Sequence, residues 1–521
     1  MRYMREKLKK LTGWRPGPAL YATVAVAALL LQLCPLIRLA MYSVPWYDDY
    51  NYGRFARTAM TNAPTLQNAL KGGWECIRIS WYAWQGTYGS IFFMALMPGI
   101  WGEEYYRFGP IFLILLLTVS VCVLVSTLLK NTLKTDRQHA IGLSCVSAIM
   151  AVVLLHTAQA GFYWYNGGVH YVGMHAFAML LVAVSVKLLC EEHRWRRFLW
   201  MVLGLLLAFL VAGGNFVTTL QGLLVLLSLV GLGILLRKGQ TFYLLPVLAT
   251  YLGGFFLNVS APGNDKRAEN YVGWGMSPIK SVLYSFVEGG RHAWEFTGWM
   301  TLVLLVMMLP LIVHMVQRTQ FSFRWPGLVS LWSVCLYSTG FTPSLYSMGH
   351  GGLGRTLNAV KLTWQLLLIL NLVYWCGWFC RRRRQSGGRT AQGDDKLQDM
   401  EQMWRWWFYP IVVLAAFLVF WAEPNKAGSF SSYGAYYYVH SGEAYNFYQE
   451  YLERVKILNS DESHVVLTPY RWRPWLICMG DLSDDPQNES NFALALWYDK
   501  DEIICVDQMT DQSIDEGRDY E

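Results

Sequence analysis

PALYATVAVAALLLQLCPLIRLAMYSVPWYDDY, residues 18 to 50, passes from an apolar run into two adjacent carboxylates. The run from Pro18 to Ala40 is long enough to cross a bilayer as a helix, which takes about 20 residues. A basic head, MRYMREKLKK, precedes it, and the usual place holds no small-residue cleavage site, so it reads as a retained first span. The rest of the chain has the same character: of 521 residues, 54% are hydrophobic, 15% aromatic and only 15% charged. An ordinary soluble domain carries about 25% charged residues. The chain is therefore expected to be an all-α polytopic membrane protein.

Apolar stretches long enough to span follow at 109–129, 138–156, 171–190, 197–213, 215–236, 241–259, 298–316, 326–342, 358–380 and 406–422. Together with the first they make about eleven spans. Up to the last span, about two thirds of the Lys and Arg lie in the N-terminus, 130–137, 187–197, 237–238, 318–324 and the RRRR-containing 381–405. Positive charge marks the cytoplasmic side, which puts the N-terminus inside and the C-terminus outside a plasma or inner membrane. Residues 90–100, SIFFMALMPGI, are too short to span and read as an in-plane or re-entrant helix of the first outer loop, 42–108.

With this topology the unusual polar stretches share the outer face. They are the DDY stretch, WQGTYG (84–89), HTAQAGFYWYNGGVHY (156–171), AGGN (212–215), NVSAPGNDKRAEN (258–270, opening the outer loop 260–297) and MGHGGLGRTLN (348–358). Trp and Tyr gather at interfaces and Gly and Asn make turns in any case. The pair Asp48 and Asp49 is more telling, because neighbouring carboxylates repel and both stay charged most readily beside a cation. Arg54 in the same stretch is one structural source of that charge.

A carboxylate at the membrane edge with arginines and glycine-rich turns opposite suits transfer from a lipid-linked phosphosugar. The leaving phosphate needs cationic or amide donors, for which Arg267, Arg355 and Asn264 are the candidates. The acceptor hydroxyl needs a base, which Asp48 or Asp49 supplies. Tyr50, Trp84, Gln85, Tyr88, Trp164, Asn166 and His170 are candidates for holding sugar or acceptor, since aromatic faces suit pyranose C–H faces. The alternative for each is ordinary loop packing, and for Asn215 a helix cap.

An apolar first span ending in an acidic motif, many further spans and a small outer C-terminal domain resemble the GT-C superfamily of glycosyltransferases. The ordered set DDYNYGR, FYWYNGG, APGNDKR and a late glycine-rich arginine resembles a bacterial family of multi-pass membrane proteins. The resemblance implies a polyprenyl-phosphate-sugar donor, an acceptor hydroxyl on a surface glycan, lipid or protein, and inversion at the anomeric carbon. Asp48 matches the carboxylate at the junction of the first span and first outer loop. The spacing of Asp48, Tyr50 and Arg54 is similar to the acidic motif of oligosaccharyltransferase catalytic subunits, which use a divalent metal such as Mg or Mn. No clear second carboxylate cluster accompanies it here: Asp265 and Glu269 are equally explained by the APGN turn, and no cofactor is expected with certainty.

The remaining readings are plainer. The histidines show no paired zinc spacing, and most cysteines lie in spans, although Cys478 and Cys505 stand apart in the C-terminal region where a disulfide is chemically possible. Residues 1–422 form the membrane domain and 423–521 a small α/β extracytoplasmic domain. In the latter AYNFYQEYLERVKIL and ALALWYDKD read as helices, VVLTPY and WLICMG as strands, and DQMTDQSIDEGRDYE as an acidic tail. No Walker loop or nucleotide-binding glycine pattern occurs, and no nucleic-acid partner is expected. An envelope glycan polymerase or ligase is the nearest rival reading. A transporter or flippase would place ionisable groups near the bilayer centre, where these spans carry almost none.

Overall fold

Without water to bond their backbone groups, apolar runs of this length must close their own hydrogen bonds as helices. The computed structural model, which describes residues 17–386 and 430–506, is helical throughout its apolar part. The basic head, the expected span at 406–422 and the acidic tail lie outside the described residues. α1 (Pro18–Ala40) opens with a proline in its first turn, where the missing N–H has no partner to lose. Three helices then fill the first long loop: α2 (Asp48–Ala59), α3 (Leu66–Ala83) and α4 (Tyr88–Ala95). The bundle continues with α5 (Phe108–Thr127), α6 (Arg137–Val153), α7 (Met174–Cys190), α8 (Arg194–Ala212), α9 (Phe216–Leu235) and α10 (Leu244–Val259). After α11 (Pro262–Glu269) and α12 (Pro278–Phe296) come α13 (Trp299–Arg318), α14 (Pro326–Ser338), α15 (Thr342–Met348) and α16 (Gly354–Ser386).

Among the described residues eight helices are long and apolar enough to cross a membrane. Each falls on a stretch expected from the sequence. Two further expected spans are shorter helices, α6 with 17 residues and α14 with 13. α6 is interior, packed between α1, α5 and α13, so its serines and glycine meet protein on nearly every side. The stretch 90–100 is α4 followed by a tight turn at Pro98–Trp101, and it packs inward with Ile91 and Met97 fully buried.

The C-terminal domain is small and mixed. α17 (Ser431–His440), α18 (Glu443–Leu458), β1 (His464–Leu467), α19 (Glu489–Tyr498) and β2 (Glu502–Cys505) follow one another. β1 pairs with β2 in parallel, Val465 opposite Ile503. The strand expected at WLICMG is instead a turn, in which the Pro474 carbonyl accepts from the Ile477 and Cys478 amides. The strand that forms is EIIC, beyond α19. Cys478 and Cys505 are free thiols.

This domain is anchored to the same end of the bundle as α2. Glu103, ahead of α5, accepts hydrogen bonds from Tyr451 and, at 2.6 Å, from Tyr498. Arg57 lies over the Trp497 ring at 4.4 Å and within 3.8 Å of Glu103. Glu103→Ala strands two buried hydroxyls and is expected to destabilise the protein by about 2–4 kcal/mol. The check is a lower thermal midpoint in detergent with early proteolytic loss of the C-terminal domain, Glu103→Gln falling between mutant and wild type.

Candidate functional site

α2 begins directly at the acidic pair, where the positive helix end favours carboxylates. Each step along a helix turns the side chain by roughly 100°, so the two aspartates face different surroundings. Asp49 points into the bundle and is completely enclosed. Its Oδ2 accepts from the Trp46 amide at 3.0 Å and from the Tyr106 hydroxyl at 2.7 Å. Its Oδ1 accepts from the Asn166 amide at 2.9 Å. The Tyr106 hydroxyl also accepts from the Tyr165 amide at 3.0 Å, and the Asn166 side chain donates to the Asp48 carbonyl at 2.7 Å. Burial pushes the Asp49 carboxyl up to about 7 against the pull of its three donors.

Asp48 is partly buried, and its carboxylate makes no hydrogen bond among the described residues. Burial first, and the charge of Glu489 second, raise it to about 6, while Arg355 and Arg267 pull it down. The same two arginines direct their charge at His170, so four chemistry-bearing groups from distant segments meet here. Neither arginine is in an ion pair among the described residues. Arg267 donates to Gln85 Oε1 at 2.5 Å and lies 5.2 Å over the Trp84 ring. Arg355, at the start of α16, lies 5.1 Å over the Trp164 ring.

Glycine makes this convergence sterically possible. A Cβ on Gly86 would come within 2.0 Å of the Asn258 carbonyl oxygen, and one on Gly263 within 2.5 Å of the Trp84 amide nitrogen. Only bare backbone lets the 84–86 turn and the start of α11 touch, and that contact carries Gln85 to Arg267.

The other expected site residues divide. Trp84, Gln85 and Trp164 hold the arginines, and Asn166 joins both aspartates to the YNGG turn. His170 bonds Ser90 Oγ at 2.8 Å and sits in one of two π-helical turns flanking YNGG, a form often found at functional positions. Asn264 is spent on the backbone, accepting from the Gly86 amide at 3.1 Å and donating to the Asn258 carbonyl at 2.8 Å. Tyr88 donates to the Phe209 carbonyl at 2.8 Å, well into the bundle. Tyr50 is buried against Trp497, with ring centroids 5.3 Å apart. Asn215 caps α9 by accepting from the Thr218 amide at 2.9 Å.

Arg54 pairs with neither aspartate and lies 5.0 Å over the Phe55 ring instead. Asp265 and Glu269 are exposed on α11. A divalent metal finds no fitting donor set at the acidic pair: Asp49 is closed by three donors and Asp48 faces arginines, and no group of three His, Cys, Asp or Glu that could hold a metal ion occurs among the described residues. Three residues at the site carried no signal in the sequence. Tyr47 and Tyr52, the latter accepting from Gln85 Nε2 at 3.3 Å, hid among many aromatics, and Glu489 is over 400 residues from Asp48 in a segment with no motif. Comparison of the chain with protein-family models, curated proteins and solved structures finds no match in any of the three.

The two aspartates are separable by stability. Asn in place of Asp49 turns an N–H₂ group toward donors already aimed at that site, costing about 1–3 kcal/mol. Asp48→Asn breaks no hydrogen bond. Thermal unfolding in detergent is expected to show a clear drop for Asp49→Asn and wild-type behaviour for Asp48→Asn.

Proposed function

We propose that the chain is a GT-C-type membrane glycosyltransferase moving a sugar from a polyprenyl-phosphate donor to a hydroxyl on a surface glycan, lipid or protein. The reaction takes place at the outer face of the cell membrane, the side where positive-inside charge puts this end of the bundle. One observation carries the reading. Asp48, whose carboxylate has no hydrogen-bond partner among the described residues, stands in the field of two arginines that have no ion-pair partner among them either.

Each part has a task in that reaction. The acceptor oxygen attacks the anomeric carbon, and its proton passes to Asp48. The bond from that carbon to the phosphate oxygen breaks, the electron pair leaving on phosphate. Arg267 and Arg355 meet the charge that grows there. Entry opposite the leaving group inverts the anomeric carbon. At about 6 the Asp48 carboxyl is ionised at neutral pH and still basic enough to share a proton in the transition state. The Trp164 indole N–H and the Asn166 amide oxygen are buried without partners among the described residues, and a hydroxylated ligand would supply them.

The test is transfer of radiolabelled sugar from a panel of polyprenyl-phosphate sugars in membranes. With the right donor, Asp48→Asn is expected to lose roughly 10²–10⁴-fold in rate and Arg267→Ala or Arg355→Ala roughly 10²–10³-fold. Wild-type rates in Asp48→Asn would overturn the reading. A base must be unprotonated to act, so kcat/KM is expected to hold above about pH 6 and, below it, to fall in inverse proportion to proton concentration.

A further inference from the structure

The C-terminal domain does more than rest on the bundle. Glu489 is the first residue of α19, and its Oε2 accepts from the Tyr47 hydroxyl at 2.5 Å. Tyr47 is the residue before Asp48, and its backbone has φ of +35°, a left-handed value that side-chain-bearing residues adopt at a cost of roughly 1–3 kcal/mol. Such a conformation persists only where the surroundings hold it from several sides. Here the neighbours are held as well. Asp49 is bonded to Trp46 and Asn166, and the Trp46 ring packs on Gly480, whose Cβ would lie 3.1 Å from it. Gln159 donates to the Cys478 carbonyl at 2.7 Å, tying the turn before YNGG to the same part of the domain.

We infer that Glu489 is a positioning residue of the transfer reaction: through the Tyr47 hydroxyl it holds the strained start of α2 that presents Asp48, and it brings a second negative charge to the base. The inference rests on the glycosyltransferase reading above and adds the C-terminal domain to the working site. Glu489 is exposed and outside the packed core, so its replacement leaves the domain's fold intact. The Asp48 carboxyl feels three charges, Glu489, which makes it more basic, and Arg355 and Arg267, which make it less so, while the neighbouring Asp49, Tyr47 and Tyr52 are largely protonated where it titrates. Burial still holds the carboxyl up, but removing the Glu489 charge takes away one influence that raises it and so strengthens the acid.

The experiment compares kcat/KM against pH for wild type, Glu489→Gln, Tyr47→Phe and Asp48→Asn, with the polyprenyl-phosphate sugar that the donor panel selects. Glu489→Gln keeps an acceptor for Tyr47 but loses the charge, and its acidic limb is expected to move to lower pH by roughly half a unit. Tyr47→Phe keeps the charge and breaks the contact; its limb is expected to stay in place while kcat drops roughly tenfold with donor KM unchanged. A purely structural contact would leave the Glu489→Gln limb at its wild-type position. If Asp48→Asn is inactive while Glu489→Gln has the wild-type limb, or Tyr47→Phe has the wild-type kcat, the inference fails and the glycosyltransferase reading stands. If the wild type consumes no donor, both fall together.

Discussion

Burying an ionisable carboxyl without a cation beside it costs several kcal/mol unless hydrogen bonds replace the lost water. Asp49 meets that condition with donors from three places: the Trp46 amide just before its own helix, the Tyr106 hydroxyl at the entry to α5, and the Asn166 amide in the YNGG turn. These segments are far apart in sequence, so none can move without leaving a buried group unpaired. Tyr163 extends the lock to the first span, donating to the Leu36 carbonyl at 3.2 Å. The geometry of the whole site is inherited from this node, because Asp48 is the residue before Asp49 on the same rigid turn.

The consequence is a division of roles between two residues that look alike on paper. One carboxylate is consumed by the fold, and its neighbour, rotated about 100° around the helix, is left for the arginines. Arg267 and Arg355 arrive from α11 and α16 and are steadied by the faces of Trp84 and Trp164 rather than by acidic partners. Cation–π support of this kind, worth roughly 0.5–2 kcal/mol, fixes a guanidinium without neutralising it. Their charge therefore remains available to an anion. The C-terminal domain closes the arrangement on the remaining side with Glu489, making a site built from the first loop, two later loops and the end of the chain.

Much of this was legible in the sequence, for physical reasons that differ from part to part. Eight spans declared themselves because a bilayer demands about 20 apolar residues whatever the neighbours. α6 did so less well, since a helix packed among other helices can be shorter, whereas α14 is short with Leu328 and Leu331 exposed. That the acidic pair, Arg267 and Arg355 come together was foreshadowed by charge placed among turn residues. Which aspartate is free was not, because that depends on Tyr106 and Asn166 reaching it from other segments. Arg54 had the right spacing for a partner, yet its position on α2 turns it toward Phe55. Asn264 and Tyr88 look like ligand-binding types, and in the fold they are consumed by backbone carbonyls. Glu489 had no local pattern at all; only the return of the C-terminal domain onto α2 gives it a role. β2 was missed for a similar reason, being four residues whose strand state depends on pairing with β1.

The most direct measurement of the central claim is an experimental structure of the protein with a polyprenyl monophosphate bound, the product side of the proposed transfer. The phosphate is expected between the guanidinium groups of Arg267 and Arg355, with the Asp48 carboxylate facing the open side and Asp49 still closed by Tyr106 and Asn166. A phosphate seated away from both arginines, or an Asp48 sealed by protein donors while Asp49 lies open, would contradict it.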